Sequence, residues 1–322
     1  MFPWCWKWTE LFNYGYSMVN SRLINNKITS NKEFEDIYPY KPNYFNNNGF
    51  KMHYIDKGKG KPVLMIHGNP TWSFYYRRLI EQFSKDYRTI APDHIGCGFS
   101  DKPSCKNYNY TLENRVSDLA RFINHLDLKE KIILIVHDWG GMIGLAWALD
   151  NISKIEKIII TNTAGFFLPE TKKFPLRLAI IKYFTPFAIP AVLGFNLFSF
   201  SALYLASKKK LSKKVKAGLI APYNSWKNRI ATLKFVQDIP ISKNDLSYKT
   251  VKMVDENLYK IKKLPTMFLW GDKDFIFDKH FLNEWKKRIP NGKFYIFKDS
   301  GHYIFEDKPE ETLSLIKQFL EK

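Results

Sequence analysis

The chain reads as an α/β domain: a mostly parallel sheet flanked by helices, with a helical segment inserted between two late strands. Three observations predict it. Short apolar runs alternate with helical patterns; one run leads directly into a glycine-rich corner and a helix; and the alternation stops across residues 166–262 before resuming. The runs His53–Ile55, Val63–Ile66, Thr89–Ala91, Ile132–Val136 and Ile158–Ile160 lack a regular polar position, as strands covered on both faces do. Between them, helical spacing is found over Ser73–Phe83, Leu112–Leu126 and Gly141–Leu149, and Thr111 is placed to cap the second of these through its hydroxyl. Past Pro265 come a strand at Thr266–Trp270, a helix around Phe281–Lys287, a strand at Phe294–Phe297 and a helix around Glu310–Phe319. Parallel strands need crossovers, and crossover helices supply this rhythm. The division that follows is an extension over 1–36, a first core segment over 37–165, a helical cap over 166–262 and a second core segment over 263–322.

Composition narrows the function. Hydrophobic residues make up 45% and aromatic residues 16% of the 322 positions, enough for one large core and for an apolar ligand site. The formal charge of +19 attracts polyanions in general, but the Lys residues are scattered and no nucleic-acid-binding module is present, so no nucleic acid partner is expected. Three Cys form neither a disulfide framework nor a metal-spaced group, which fits a reducing, cytoplasmic setting. With no dinucleotide loop or Walker motif either, no metal and no cofactor is expected. Residues 1–36 show no sustained periodicity and no secretory leader pattern, and Met18 is an alternative start.

Within the insertion, the 24 positions Tyr183–Ala206 carry no charge, the length of a membrane span. Strands of one sheet lie on both sides of it, however, and Pro186 and Pro190 interrupt it, so two or three short cap helices are expected. Lys172, Lys173, Arg177 and Lys182 precede this stretch, and six Lys lie between Lys208 and Lys216. The plainer reading is a cap whose apolar side faces a site beneath it, with solvated lysines. The other is peripheral docking at an anionic inner membrane surface, where each basic residue contributes about 1 kcal/mol.

The chemistry concentrates at Ile132-Ile-Leu-Ile-Val-His-Asp-Trp-Gly-Gly141, an apolar strand turning sharply into a helix. This is a nucleophile elbow whose centre, usually Ser, is Asp138; no G-x-S-x-G occurs in the chain. A carboxylate attacks carbon without a base to activate it and leaves an ester to be resolved. The bland alternative for Asp138 is a helix N-cap. The loop after the strand Val63–Ile66, which ends in His67-Gly68, should offer one oxyanion N–H from Asn69, and Trp139 should offer the other. The Asn69 amide and Trp139 indole are expected to point into the pocket as further donors. Asp93 and Ser100, beside the glycines of the Asp93–Asp101 loop, are assigned structural hydrogen bonds. Late in the chain, Trp270-Gly-Asp-Lys-Asp-Phe275 and Lys298-Asp-Ser-Gly-His-Tyr303 supply acid and base in the order nucleophile, acid, histidine of the α/β-hydrolase fold. His302 is the base and Asp274 the acid, with Asp272 and Asp278 in reserve. His67 and His137 read as turn and packing residues, and the other histidines have no assigned role.

These segments, together with Asp93-His-Ile-Gly-Cys-Gly98, resemble the haloalkane dehalogenase family from about Tyr38 onward. One branch of that family places its acid after the strand ending near Thr161; here Asn162 stands there, so the chain is similar to branches that use the later position, Asp274. Ala221–Ile230, Phe235–Ile241 and Trp270–Phe277 resemble more specifically the β-lactone decarboxylases of bacterial long-chain olefin synthesis. That resemblance implies conversion of a cis-3,4-dialkyl β-lactone to a cis-alkene and carbon dioxide, a substrate with long alkyl chains, and association with other enzymes of that pathway. The alternatives are hydrolysis of a carbon–halogen bond, a related ester or epoxide hydrolase (with Tyr204 and Tyr223 available to open a ring), and a binding protein that retains the pocket without catalysis. Which ring carbon Asp138 attacks is left open by the sequence.

Overall fold

The computed structural model describes residues 33–321. Eight strands form one sheet: β1 (Asn43–Asn47), β2 (Phe50–Lys57), β3 (Pro62–Ile66), β4 (Arg88–Pro92), β5 (Ile132–His137), β6 (Ile155–Thr161), β7 (Thr266–Gly271) and β8 (Lys293–Phe297). Their spatial order is β1-β2-β4-β3-β5-β6-β7-β8. The pairs β1–β2 and β2–β4 are antiparallel and all later pairs are parallel. Every residue of β3, β5 and β7 is buried, which is why their sequences show no polar alternation. The period of two survives in what they touch. Ile132, Leu134 and Val136 pack into one core layer while Ile133 and Ile135 pack into the layer on the opposite face.

The expected helices form at Arg77–Phe83 (after a short 3-10 turn over Ser73–Tyr76), Leu112–His125, Trp139–Asp150, Lys279–Arg288 and Pro309–Leu320. Thr111 caps the second of these, its hydroxyl accepting from the Asn114 N–H. Strand β1, absent from the sequence expectations, lies at the sheet edge. It is joined to β2 by Asn48 and Gly49 at φ 51° and 89°, the left-handed pair that a tight hairpin requires.

Between β6 and β7 the cap comprises Leu176–Tyr183, Thr185–Ala188, a π-helical turn over Ile189–Gly194, Leu197–Leu205, Lys213–Ile220 and Ile230–Gln237. It has a small core of its own at Ala188, Val192, Leu193 and Leu233. Among the described residues no single helix is long and apolar enough to cross a membrane. The apolar pair Leu176–Tyr183 and Thr185–Gly194 is bent by 95°.

Two segments near the expected boundaries pack against the sheet domain. The helix Tyr248–Asn257, within the inserted 166–262, buries Val251 and Val254 in the same layer as Ile143 and Leu145, as Ala231 and Phe235 of the cap also are. Its Val251 and Val254, with Leu258 and Ile261 of the turn that follows, form an apolar stripe packed in the layer of the Trp139–Asp150 helix, and Val251 also lines the cavity. At the other end Phe34, assigned to the extension, is buried edge-on against Trp72 and Phe74, so the packed chain starts before residue 37. Residues 1–32, with the possible start at Met18, lie outside the described residues.

Candidate active site

Asp138 sits at the corner between β5 and the Trp139–Asp150 helix, with φ 52° and ψ −129°, a backbone conformation uncommon for a residue with a Cβ. Its surroundings hold it there. The Asp138 N–H donates to the Asn162 carbonyl at 3.2 Å, and its carbonyl accepts from the Gly141 N–H at 2.9 Å and from the Thr163 hydroxyl. Close approach explains the neighbouring glycines: a Cβ on Gly140 would lie 2.0 Å from the Ile66 carbonyl oxygen, and one on Gly68 would lie 2.1 Å from Asp138 Oδ1. The bend therefore raises the carboxylate above the carboxyl end of the sheet, where it meets the loop after β3.

There the Asn69 backbone N–H donates to Asp138 Oδ1 at 2.6 Å, and the Trp139 N–H also supports the carboxylate. Burial pushes the Asp138 pKa up, against the opposing pull of the His302 charge and these two N–H groups, and the balance stays above the ordinary value. The result is a carboxylate stripped of water yet held by fixed donors.

His302 faces it, Nε2 lying 3.6 Å from Asp138 Oδ2, while Nδ1 lies 2.7 Å from Asp274 Oδ2. A carboxylate can only accept, so Nδ1 carries the proton in this pair. Burial alone would lower the His302 pKa; the adjacent Asp274 carboxylate, helped by Asp138, outweighs it, and the pKa is raised. Asp274 is itself fixed, since its other oxygen accepts the Ile276 and Phe277 N–H groups at 2.7 and 3.1 Å. The two reserve acids do other things: Asp278 caps the Lys279–Arg288 helix through the His280 N–H at 3.0 Å and pairs with Lys172 at 2.6 Å, and Asp272 lies half-buried at the end of β7. Of the three acids, only Asp274 reaches the imidazole. Asn162 does not approach His302. Its amide clasps both backbone groups of Gly271, at 2.8 and 3.1 Å, and ties β6 to β7.

The two expected pocket donors behave differently from one another. Asn69 lines the cavity, but its Nδ2 donates to the Thr232 carbonyl in the cap at 3.0 Å. The Ile230–Gln237 helix starts directly over the β3 loop, so this amide joins cap to core and only its backbone N–H serves Asp138. Trp139 also lines the cavity, its ring packed 5.4 Å from that of Phe235.

Asp93 and Ser100 hold the neighbouring loop: Asp93 accepts from the Ser73 N–H at 2.7 Å and contacts His53 Nδ1 at 2.7 Å, and the Ser100 hydroxyl donates to the Asp93 carbonyl. His67 bonds to Gly68 and His94 through its two ring nitrogens, and burial pushes its pKa down to about 4. His137 Nε2 donates to the His302 carbonyl at 3.0 Å, supporting the loop instead of the chemistry.

One residue that the sequence did not mark is central to that loop. Asp307 is wholly buried and accepts from the Gly301 N–H (2.6 Å), the Ser207 hydroxyl (2.6 Å) and the Lys208 and Lys209 N–H groups (both 2.8 Å). With the Tyr303 N–H donating to the Ala206 carbonyl at 2.8 Å, it fastens the His302 loop to the end of a cap helix. In sequence, Glu306-Asp307-Lys308 reads as an ordinary solvated helix start.

Above Asp138 and His302 lies a cavity of about 320 Å³, walled by side chains such as Met142, Phe166, Phe198 and Val236, with Lys172 and Arg177 the charged residues among the cap side chains that line it. A fixed carboxylate, two backbone donors and an imidazole paired with an acid, all under an apolar cavity, can form and break a bond to carbon in an apolar molecule.

Sheet order, corner and histidine–acid pair together define an α/β-hydrolase-fold enzyme. A family model described as alpha/beta hydrolase fold matches residues 61–309. The cis-3-alkyl-4-alkyloxetan-2-one decarboxylase of Shewanella oneidensis is 46% identical over 287 residues, covering 89% of this chain and 90% of that protein. The enzyme of the same name from Xanthomonas campestris is 40% identical over 281 residues, covering 85% and 93%. Haloalkane dehalogenase 2 of Mycobacterium tuberculosis is 27% identical over 283 residues, covering 87% and 95%. Among solved structures, the haloalkane dehalogenase DatA of Agrobacterium tumefaciens superposes with a TM-score of 0.78 at 22% identity, over 87% of this chain and 96% of that one, a likeness of fold. The chain belongs to the α/β-hydrolase fold family, in the group that contains these oxetanone decarboxylases.

Proposed function

We propose that this enzyme converts cis-3,4-dialkyl β-lactones to cis-alkenes and carbon dioxide, with Asp138 as nucleophile, His302 and Asp274 as its charge-managing pair, and the Asn69 and Trp139 N–H groups as the donors that hold oxygen charge. The observation that carries this reading is a corner carboxylate held by two backbone N–H groups on the floor of an apolar cavity, in a chain 46% identical over 287 residues to a decarboxylase relative.

An Asp138 oxygen attacks the ring carbon that bears the alkoxy oxygen; that carbon–oxygen bond breaks, the ring strain is released, and a free carboxylate appears next to the new ester. The carbon–carbon bond to that carboxylate then breaks to release carbon dioxide, the electron pair of that bond becomes the alkene π bond, and the carbon–oxygen bond to Asp138 breaks with its pair returning to the Asp138 oxygen, which regenerates the carboxylate. Inversion in the first step followed by anti fragmentation in the second keeps the two alkyl groups on one side, giving the cis alkene. Attack at the carbonyl would instead leave an alkoxide on the carbon that has to lose its oxygen, a poor leaving group. Because the reaction consumes no water, His302 acts here as an imidazolium. Its raised pKa favours that form, and the Nε2–H stands 3.6 Å from the oxygen where negative charge returns.

The apolar cavity supports long alkyl chains, each buried methylene contributing about 0.8 kcal/mol. A cytoplasmic setting, association with enzymes that supply the lactone, and contact of the basic cap with the inner membrane surface belong to the same reading. An epoxide hydrolase reading loses its proposed tyrosines: Tyr204 is exposed, and the Tyr223 hydroxyl donates to the Thr71 carbonyl. The test is incubation with a synthetic cis-dialkyl β-lactone and, separately, with a haloalkane. Alkene detected by gas chromatography, and lost in Asp138→Asn, is the expected result; halide release without alkene would replace the reading with dehalogenation.

A further inference from the structure

The surface around the cavity mouth has a composition that catalysis beneath it does not need. From Thr171 to Gln237 the chain carries thirteen Lys and Arg and no Asp or Glu. The same stretch exposes Leu176, Phe184, Phe195, Phe200 and Tyr204, residues that soluble surfaces rarely gather in one place. The sharp bend between Leu176–Tyr183 and Thr185–Gly194 pushes Tyr183 and Phe184 outward as an apolar knuckle. Lys216 Nζ lies 4.1 Å from the centre of the exposed Tyr204 ring, whereas Lys172 and Lys182 are largely buried and paired with Asp278 and Asp245 and are not part of the exposed charge. Lys208, Lys209 and Lys210 follow the exposed Leu197–Leu205 helix, and all three are exposed. This surface is continuous with the site, because the half-exposed Phe187, Leu197 and Leu205, together with Arg177, also line the cavity.

We infer that this cap face docks on an anionic lipid bilayer, with the cavity mouth turned toward the acyl layer. Aromatic and aliphatic side chains enter the headgroup boundary while the surrounding ammonium and guanidinium groups meet lipid phosphates, the pattern of an interfacial rather than a spanning element. The stretch itself contributes no carboxylate, and Asp36, Asp245 and Asp278, which reach it from other segments, are each paired with one of its lysines, so a negative surface meets net positive charge. Docking depends only on the surface. That docking delivers the substrate rests on the dialkyl lactone reading: a molecule with two long chains partitions into the bilayer, and a mouth placed there takes it up without passage through water.

Co-sedimentation of the full chain with phosphatidylcholine vesicles, and with vesicles also containing phosphatidylglycerol, tests this at low and high salt. Binding to the mixed vesicles at low salt, weakened at high salt, is expected. The variant Phe184→Ser/Phe195→Ser/Phe200→Ser, whose three rings are exposed and do not line the cavity, should bind the mixed vesicles at least about tenfold more weakly. It should retain wild-type kcat/KM on a short-chain lactone free in solution and lose activity on a long-chain lactone held in vesicles. No sedimentation of the wild type with the mixed vesicles at low salt overturns the inference, as does undiminished binding by the variant. A lipid-free dimer that the same variant dissolves also overturns it, by assigning the face to a second copy. The sedimentation readout involves no chemistry, so it fails or succeeds independently of the reaction.

Discussion

Replacing Asp274 with asparagine separates decarboxylation from hydrolysis. In the native site one Asp274 oxygen takes the His302 Nδ1–H at 2.7 Å while the other takes two backbone N–H groups, from Ile276 and Phe277. The backbone donors cannot turn round, so the single oxygen of an asparagine must face them, and its NH2 group then points at His302 Nδ1. The imidazole is driven into the tautomer with its proton on Nε2, and the carboxylate charge that raises its pKa is gone. Hydrolysis of an ester needs a basic Nε2 and should fall about ten-thousandfold, as it does when the analogous acid of a Ser-His-Asp triad becomes an amide. Alkene formation needs only a donor at Nε2, which the neutral tautomer still offers. Its loss is that of one ionised hydrogen bond, about 1.5–3 kcal/mol, or roughly 10- to 150-fold in kcat/KM. The pH dependence follows the same logic. A raised His302 pKa keeps the imidazolium present to higher pH in the wild type, and activity declines as pH rises through that pKa; in Asp274→Asn burial dominates, and the decline moves to lower pH. Initial rates of alkene release by gas chromatography across pH check both points. An alkene rate changed less than about twofold, with no movement of the alkaline limb, would refute the role given to the His302–Asp274 pair.

Two further substitutions test the supports of the site. In Gly68→Ala the new methyl would stand 2.1 Å from Asp138 Oδ1, so alkene formation should fall at least about a hundredfold while circular dichroism keeps its native shape; wild-type turnover would contradict the packing at the corner. Glu306→Ala removes one side of a nearly inaccessible bidentate pair with Arg77, with contacts of 2.6 and 2.8 Å, and leaves the guanidinium uncompensated. Urea unfolding should show a loss of about 3–5 kcal/mol, and a midpoint unchanged from wild type would count against it.

The sequence was most informative where one physical cause dominates. Strands β3, β5 and β7 are buried on both faces, so uninterrupted apolar runs could encode nothing else at that length, and the glycines after Asp138 exist because backbone passes within touching distance. Strand β1 escaped because Asn-Tyr-Phe-Asn-Asn is an edge strand with alternate residues in solvent, although the Asn48-Gly49 turn beside it is a hairpin signal. The choice of Asp274 over Asp272 and Asp278 came from spacing, and only the fold shows what occupies the other two. Long-range contacts were out of reach. The Asn69 amide meets the carbonyl of Thr232, 163 positions away, and Asp307 gathers N–H groups from Gly301 and from Lys208 and Lys209 across the cap boundary. Such partners are chosen by tertiary placement, and local pattern carries no trace of them.

The proposed reaction requires a covalent bond between Asp138 and substrate carbon. His302→Gln removes the imidazolium that eases expulsion of the Asp138 carboxylate, so intact-protein mass spectrometry after mixing this variant with a dialkyl β-lactone should show a gain equal to the whole lactone. Ring opening adds every atom and loses none, and peptide mapping should place the gain on the segment containing Asp138. Alkene production with no adduct on any time scale, or an adduct on a different side chain, would contradict it.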